Sequence, residues 1–510
     1  MTTREHGAFP LDWHPEPDLI DLRRDDAREA LSELGERAWD LALEYVYEEA
    51  MRRPVGPQDY SELRRTFFGP AGGPAPAPRS PSPSPDVLDE VRRRLLPHLY
   101  NSQHPRSFSY FTPPPLALSI VGEMLGQWFH QGVDVFHGGP VAALVEEEVV
   151  TWLRDLIAYD ASGWGVLTSG GVMANIMALT VVRDRHLASL LGSGPPRGSA
   201  LERARIYVSD QAHFSIGRGL DILGFPESAL SVVGSDERFA LQATPVAARI
   251  ERDLAEGLVP LCIAAVSGST NTGSIDDVEG LAQLAREHGL WLHVDAAYGG
   301  AARLSARDGG RVPGLELADS VTIDPHKWFY QGYDIGALIV RRRADLHVTF
   351  RRSPEYYRSS IPETEPLNWL EYSIEGTRRF RALKLWLSWK HLGTEGLGRL
   401  VETNNDVAAE LARQIAQSGD FEAAVDVPDL SIVCFRHLAD GWDASESAER
   451  ALDEHQDRLQ RALEVSGEGW VSTTRLRGRT WLRAGVMNHM SSSEDTAGLL
   501  ESLRRLAQGL

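Results

Sequence analysis

The sequence predicts an α/β protein: a mostly parallel sheet covered by helices, followed by a smaller α+β region. Two observations lead there. Between Trp164 and about Val340, short β-branched runs ("ARIYV", "LCIAAV", "LWLHV", "SVTI", "GALIV") alternate with helix-like stretches such as "VEGLAQLAREHG". Near-continuous apolar strands separated by helices belong to parallel sheets buried on both faces. From "RRFRALKLWLSWKHLG" (378–393) onward, a long helix leads into a region with strands near 430–436 and 479–486.

The remaining elements follow in chain order. Residues 18–68 carry helical spacing and run into "FFGPAGGPAPAPRSPSPSP" (67–85), whose Pro, Gly, Ala and Ser cannot bury a core and read as an extended linker. The N-terminal helices are therefore an appendage, suited to gripping a partner subunit. A second helical stretch, 86–160, is interrupted by "YFTPPP" (110–115) and "FHGGP" (136–140), two loops positioned to line a site. "GSGPPRGSA" (192–200) reads as a surface loop, and there is no internal repeat. Three segments result: 1–85, 86–377 for the large α/β domain, and 378–510 for the long helix and small α+β domain.

At 510 residues, 42% hydrophobic and 24% charged, the chain has the composition of a globular protein with a sizeable core. Its formal charge of −20 is spread along the length, which argues against nucleic acid or an anionic membrane as partner. The start, "MTTREHGAFPLDWHPEPD", has charges and prolines where a secretory signal needs an apolar core, and no apolar run is long enough to span a bilayer, so the cytoplasm is the expected location. Cys262 and Cys434 lie in apolar, strand-like runs without metal-ligand spacing and read as buried small hydrophobes; no metal site is expected.

Three motifs carry chemistry. "VLTSGGVMANIMAL" (166–179) runs strand, glycine turn, helix, with Val172, Ile176 and Leu179 on one face. Amides at such a helix start favour an anion such as phosphate, and Gly170 and Gly171 allow close approach, although the turn alone reads equally as a tight connection. "LWLHVDAAYGG" (290–300) is an apolar strand ending in Asp295, which suits a protonated ring nitrogen at a sheet's carboxyl edge or, more plainly, a turn or helix cap. In "DPHKWFY" (324–330), Lys327 ends the next strand in the apolar company of Trp328 and Phe329. Desolvation there would lower its pKa and make it a usable amine nucleophile, while a lone lysine would snorkel. Phosphate, ring nitrogen and aldehyde partners on one sheet edge together describe a pyridoxal phosphate site.

With "HPRSFSYFTPPP", "GGPVAALVEEEVVTWL", "TSGGVMANIMAL", "VSDQAHFS", "SGSTNTGSIDDV", "HVDAAYGG", "DPHKW", "RRFRALKLW" and "RTWLRAGVMN" in this order, the chain resembles the pyridoxal-phosphate-dependent group II amino-acid decarboxylases. These include the aromatic-amino-acid, histidine and glutamate decarboxylases. The resemblance implies the aspartate-aminotransferase-like fold (fold type I), with a seven-stranded-type sheet and a small C-terminal domain. It implies pyridoxal 5'-phosphate held as an aldimine on Lys327, Asp295 on the pyridine nitrogen, and His213 stacked on the ring. Without the family, His213 would read as a satisfied core histidine. By the same resemblance Ser169, Gly170 and Gly171 form the phosphate turn, Thr270 and Ala297 contact the ring or its hydroxyl, and His326 approaches the phosphate and reacting carbons. Arg483 matches the arginine for the substrate carboxylate; by itself it reads as a surface arginine at a strand edge. The family places a polar residue where this chain has Val172. Its loop tyrosine, which protonates the intermediate, falls in the reworked "RRSPEYYRSSIPETEPLNWLEYSIEG" (351–376), leaving Tyr356, Tyr357 and Tyr372 open, with Tyr357 the first candidate.

The expected reaction is decarboxylation of an L-amino acid to an amine and CO₂, a lyase step in carboxylic-acid and amino-acid metabolism, by a cytoplasmic homodimer with its active site at the interface. Tyr110, Phe111 and Phe136, the last contributed across the interface, resemble pocket residues whose rings favour an aromatic or other apolar side chain over acidic or diamino ones; core packing would explain the same rings. Two rival readings are an oxygen-dependent aldehyde synthase or other lyase on the same scaffold, and a non-catalytic pyridoxal-phosphate-binding dimer.

Overall fold

The computed structural model describes residues 16–54, 59–192, 196, 198–352, 367–438 and 446–510. They form two compact units. One gathers the described residues of Met1–Ser107, Arg458–Trp470 and Leu499–Leu510; the other takes Phe108–Asp457 and Val471–Gly498. This division differs from a three-part cut at 85 and 377, because compactness groups residues remote in sequence and composition registers only breaks along it.

In the first unit, Asp59 accepts the Glu62 amide at 2.7 Å and so starts the helix Tyr60–Phe68. Residues 69–83 hold neither helix nor strand, as their Pro and Gly content requires. Glu44, closing the helix Ala27–Glu44, pairs with Arg92 of the helix Ser84–Arg94 at 2.8 Å. Trp39, Leu43, Tyr47 and Met51, four residues apart, are all exposed, an apolar stripe along this segment.

The second unit holds a seven-stranded sheet: β1 (Trp164–Thr168), β2 (Ala204–Ser209), β3 (Leu230–Val233), β4 (Val259–Val266), β5 (Trp291–Asp295), β6 (Ser320–Ile323) and β7 (Gly336–Val340), in the order β1-β7-β6-β5-β4-β2-β3. Only β7 runs antiparallel to its neighbours. All five quoted runs are strands, and five of the seven strands are buried at every residue, so their apolar runs do not alternate. The short edge strand β3 escaped notice. The carboxyl ends of β1, β2, β4, β5 and β6 share one edge, where ligands of open α/β sheets bind.

Behind that edge, Arg378 pairs with Glu146, both about 1% exposed. Arg378 Nη1 donates to the Leu167 carbonyl at 3.0 Å, and the Leu167 amide donates to Glu146 at 3.2 Å. Burial pushes the Glu146 carboxyl up against the pull of Arg378. The pair thus grips the last turn of β1 by its backbone. The long helix runs Ala382–Ala416 with a break at Gly393, whose φ of 65° only glycine adopts readily. A smaller antiparallel sheet follows, β8 (Phe421–Ala423), β9 (Ile432–His437), β10 (Ser472–Leu476) and β11 (Arg479–Gly485), ordered β10-β11-β9-β8. Both cysteines are free and buried.

Candidate active site

At the carboxyl edge lies a cavity of about 380 Å³. Ser169, Gly170, Gly171, His213, Thr270, Asp295, Ala297, His326 and Lys327 all line it, so nine positions scattered over 159 residues of sequence converge. Each follows a strand end: 169–171 follow β1, His213 follows β2, Thr270 follows β4, Asp295 closes β5, and His326 and Lys327 follow β6.

Gly170 turns the chain into the helix Gly171–Val181, whose start no side chain caps. A Cβ at Gly171 would stand 2.8 Å from Asp324 Oδ2, and one at Gly170 would stand 3.1 Å from the His326 ring. Glycine is thus required by close packing as well as by the turn. The helix is buried on nearly every side, where a single apolar face was expected, and Val172 lines the cavity.

Asp295 is the best-anchored group. Its Oδ1 accepts the Ala297 amide at 3.1 Å, and its Oδ2 accepts Asn175 Nδ2 at 2.7 Å. Asn175 Oδ1 accepts from Thr322 at 2.7 Å and meets His293 Nε2 at 3.0 Å, while His293 Nδ1 lies 2.9 Å from the Ser320 hydroxyl. An ionised carboxylate only accepts, so the amide orientation follows, Nε2 of His293 carries its hydrogen, and Nδ1 accepts from Ser320. Asn175 Nδ2 also donates to Ser215 at 2.8 Å, whose hydroxyl then donates to His213 Nδ1 at 2.8 Å. One amide thereby orients both Asp295 and His213. Burial holds the His213 imidazole below its ordinary range, against Asp295, and His293 is pushed down to about 4 by its complete burial.

Lys327 lies in the turn after β6, not at the strand's end, because Pro325 cannot continue the ladder. Its Nζ sits 3.3 Å from Asp324 Oδ2 and 5.2 Å from the centre of the Phe111 ring. Trp328 and Phe329 are not its company. Trp328, Phe329 and Tyr330 are fully buried, with the Trp328 Nε1 and Tyr330 hydroxyl both donating to Asn404 Oδ1 at 2.9 and 2.8 Å. They anchor the turn from behind.

Arg483 is buried, contrary to the surface reading. Its Nε donates to the Thr270 and Asn271 carbonyls at 2.9 and 3.1 Å and its Nη1 to the Ser109 carbonyl at 2.8 Å, while Nη2 has no partner among the described residues. The guanidinium lies 4.8 Å from the Phe111 ring, so Phe111 touches both Lys327 and Arg483, although Arg483 is absent from the cavity lining. Tyr110 is exposed and Phe136 half-buried, and neither lines the cavity. Tyr356 and Tyr357 lie outside the described residues. Tyr372 is buried, its hydroxyl accepting from Arg343 Nε at 2.9 Å, and it does not reach the cavity.

Sequence reasoning missed Asn175, Ser215, His293, Thr322, Asp324 and Tyr333. A signal existed for two: Asn175 in "VMANIMAL" and His293 in "LWLHVD" are polar side chains inside apolar runs, and burial obliges such groups to find partners.

The cavity offers an uncapped helix start over glycines, a fixed carboxylate and an amine, with Asp324 Oδ1 and His326 Nδ1 buried and without partners among the described residues. This donor set fits the phosphate, ring nitrogen and aldehyde of pyridoxal phosphate, and with the sheet order it defines a fold type I pyridoxal phosphate enzyme. Residues 71–438 match the pyridoxal-dependent decarboxylase conserved domain, and the chain belongs to that family. An aromatic-L-amino-acid decarboxylase of Bacillus atrophaeus is 29% identical over 94% of this chain and 96% of its own length. An L-2,4-diaminobutyrate decarboxylase of Rhizobium meliloti (strain 1021) is 30% identical over 83% of this chain and 82% of its own. The crystal structure of mouse CSAD superimposes with a TM-score of 0.86 at 25% identity, covering 94% of this chain and 99% of that one. The protein is a pyridoxal-phosphate-dependent amino-acid decarboxylase, a carboxy-lyase. Among the described residues there is no group of three metal-ligating side chains, and no helix is long and apolar enough to cross a membrane.

Proposed function

We propose that the enzyme decarboxylates an L-amino acid with an aromatic or otherwise apolar side chain, giving the amine and CO₂. The observation that carries the reading is the convergence of Asp295, closing β5, and Lys327, in the turn after the adjacent β6, on one cavity beside the Phe111 ring. Met173, Phe214, Val266, Tyr298 and Tyr333 add apolar and aromatic wall.

When bound, pyridoxal phosphate supplies the sink for the electron pair that departing CO₂ leaves behind. Lys327 Nζ would hold its aldehyde. Asp295, with both oxygens fixed by Asn175 and the Ala297 amide, would hold a proton on the ring nitrogen. Ser169, Gly170 and Gly171 would take the phosphate, Thr270, Ala297 and His213 would hold the ring, and His326 would serve the phosphate side. Arg483 Nη2, a buried donor without a partner among the described residues, supports a role for that arginine in receiving the substrate carboxylate. Tyr357, with Tyr356 as its alternative, returns a proton to Cα. Tyr110 and Phe111 bound the side chain's place.

We further propose a cytoplasmic homodimer with the active site at its interface. Ile120, Met124 and Trp128, four residues apart on the helix Ala117–Phe129, are exposed, as are Val141 and Leu144 on the helix Pro140–Ile157; these stripes support a self-contact, and Phe136 fits a contribution across it. The two buried free cysteines and a charge of −20 accord with that compartment.

Incubating the cofactor-loaded protein with a panel of amino acids and reading products by mass spectrometry tests the proposal. Amine and CO₂ from aromatic substrates is the expected outcome. Aldehyde, ammonia and peroxide would make it an oxygen-dependent synthase, and preference for acidic or diamino substrates would overturn the side-chain assignment.

A further inference from the structure

As the side chains stand, the arginine proposed to receive the substrate carboxylate is closed off. Arg483 is 5% exposed and does not line the cavity, and its Nη2 has no partner among the described residues. The half-buried Phe111 ring lies against it, its centre 4.8 Å from the guanidinium and 5.2 Å from Lys327 Nζ, and leans on the Tyr298 ring at 4.9 Å. On the same segment Ser109 gives its carbonyl to Arg483 Nη1 at 2.8 Å, while its own buried hydroxyl has no partner among the described residues. Two unused donors thus share one corner with a single aromatic ring.

Resting on the reading of Arg483 above, we infer that Phe111 is a positioning residue that screens Arg483 from the cavity, and that a substrate carboxylate displaces its ring. A buried guanidinium N–H without an acceptor is unfavourable, and the face of an aromatic ring replaces an oxygen acceptor only weakly. A carboxylate instead makes a charge-assisted hydrogen bond, about twice as strong as a neutral one, so exchanging the ring for a carboxylate stabilises the arginine. An amine or a neutral side chain offers Arg483 no acceptor anion and leaves the ring where it is. The backbone need not move. On either side of Phe111 it is pinned, the Phe108 carbonyl accepting from the Gly485 amide at 2.7 Å and the Leu116 amide donating to the Tyr330 carbonyl at 2.9 Å, so turning the side chain frees the ring. Once CO₂ has left, the product amine has no carboxylate to hold the ring aside. Phe111 returns to Arg483, and the corner discriminates amino acid from amine.

The test is titration calorimetry of the cofactor-loaded protein with two probes, 3-phenylpropanoate and 2-phenylethylamine, for the wild type and Phe111→Ala. The probes share the phenylethyl skeleton, so losing an aromatic wall weakens both alike and cancels in the ratio of their affinities. Removing the screen should shift that ratio about tenfold toward the acid, the size of the ring's contacts with two cations. A merely structural role would leave it in place. An unchanged ratio, or one moved toward the amine, would overturn the inference. Adding Arg483→Gln to Phe111→Ala should abolish the shift; a shift that survives would also overturn it. Arg483→Gln alone separates this inference from the reading beneath it. If that variant binds the acid as the wild type does, Arg483 is not the carboxylate's receptor and both fail; if it binds the acid more weakly while Phe111→Ala leaves the ratio unchanged, only the screen fails. Should Phe111→Ala not fold, Phe111→Leu keeps apolar bulk without the ring face, and a smaller shift in the same direction supports the screen while none overturns it.

Discussion

Asp295 and Asp324 close neighbouring strands of one sheet and line one cavity, yet they are provisioned in opposite ways. Asp295 has both oxygens engaged and is backed by a relay through Asn175, His293 and Ser320. Asp324 has one oxygen on Lys327, and among the described residues its other oxygen and His326 Nδ1 have no partner. On the reading proposed above, the ring end, at Asp295, is finished by the chain itself, whereas the phosphate end, beside Asp324, is left for a ligand to complete. Preorganisation at the ring end fits a group whose charge must not shift during reaction, since a dipole already in place costs no reorganisation.

This contrast can be broken at several points. The largest effect is expected at the junction of the two ends: Lys327→Ala should lower CO₂ release at least about a thousandfold and remove the visible absorbance of the loaded protein. Turnover surviving in that variant would refute the lysine assignment. Asp295→Asn should cost about 10²–10³ in kcat, with the cofactor still bound. An effect on cofactor binding alone, with kcat unchanged, would mean that the ring end is not where the electronic work is done.

Asn175→Leu tests whether the relay is what finishes that end. It leaves Asp295, His293 and Thr322 each short of a partner and should destabilise the protein by about 2–4 kcal/mol in a urea titration, besides lowering kcat. Stability within 1 kcal/mol of the wild type, on the order of one hydrogen bond, would show that the relay is ornamental. The smallest effect concerns pH. His293 is pushed down to about 4 in the fold, whereas the unfolded chain takes up that proton near 6.5. Its contribution to stability is therefore complete above about pH 6.5 and fades as pH falls toward 4. Between pH 7.5 and 5.5 the wild type should lose about 1 kcal/mol more than His293→Gln does, measured by unfolding at both pH values; equal losses would contradict the assignment of a neutral, buried His293.

Legibility in the sequence followed the same contrast. Lys327, Asp295, Gly170 and Gly171 stand out because each breaks a pattern, a charge or glycine pair at the end of an apolar run. Asn175 and His293 were hidden inside such runs, where only knowledge of what faces them gives a buried polar group its meaning. Arg483 misled in the other direction, since a strand-edge arginine looks exposed until the segment carrying Ser109 is known to cover it. The rings after Lys327 misled too: adjacency suggested that they surround the amine, but the turn buries them on Asn404 and brings Phe111, more than 200 positions away in the chain, to the amine instead.

By itself the sequence determined the sheet, its burial on both faces and the edge where the cavity would form, because period, composition and strand-end residues are local properties. Tertiary structure alone decided which groups are paired: that Asn175 serves Asp295 and His213 together, and that Asp324 faces both Lys327 and the glycine turn. Hydrogen bonds and ion pairs act over about 3–4 Å between residues that may be over a hundred positions apart, so no local pattern encodes them.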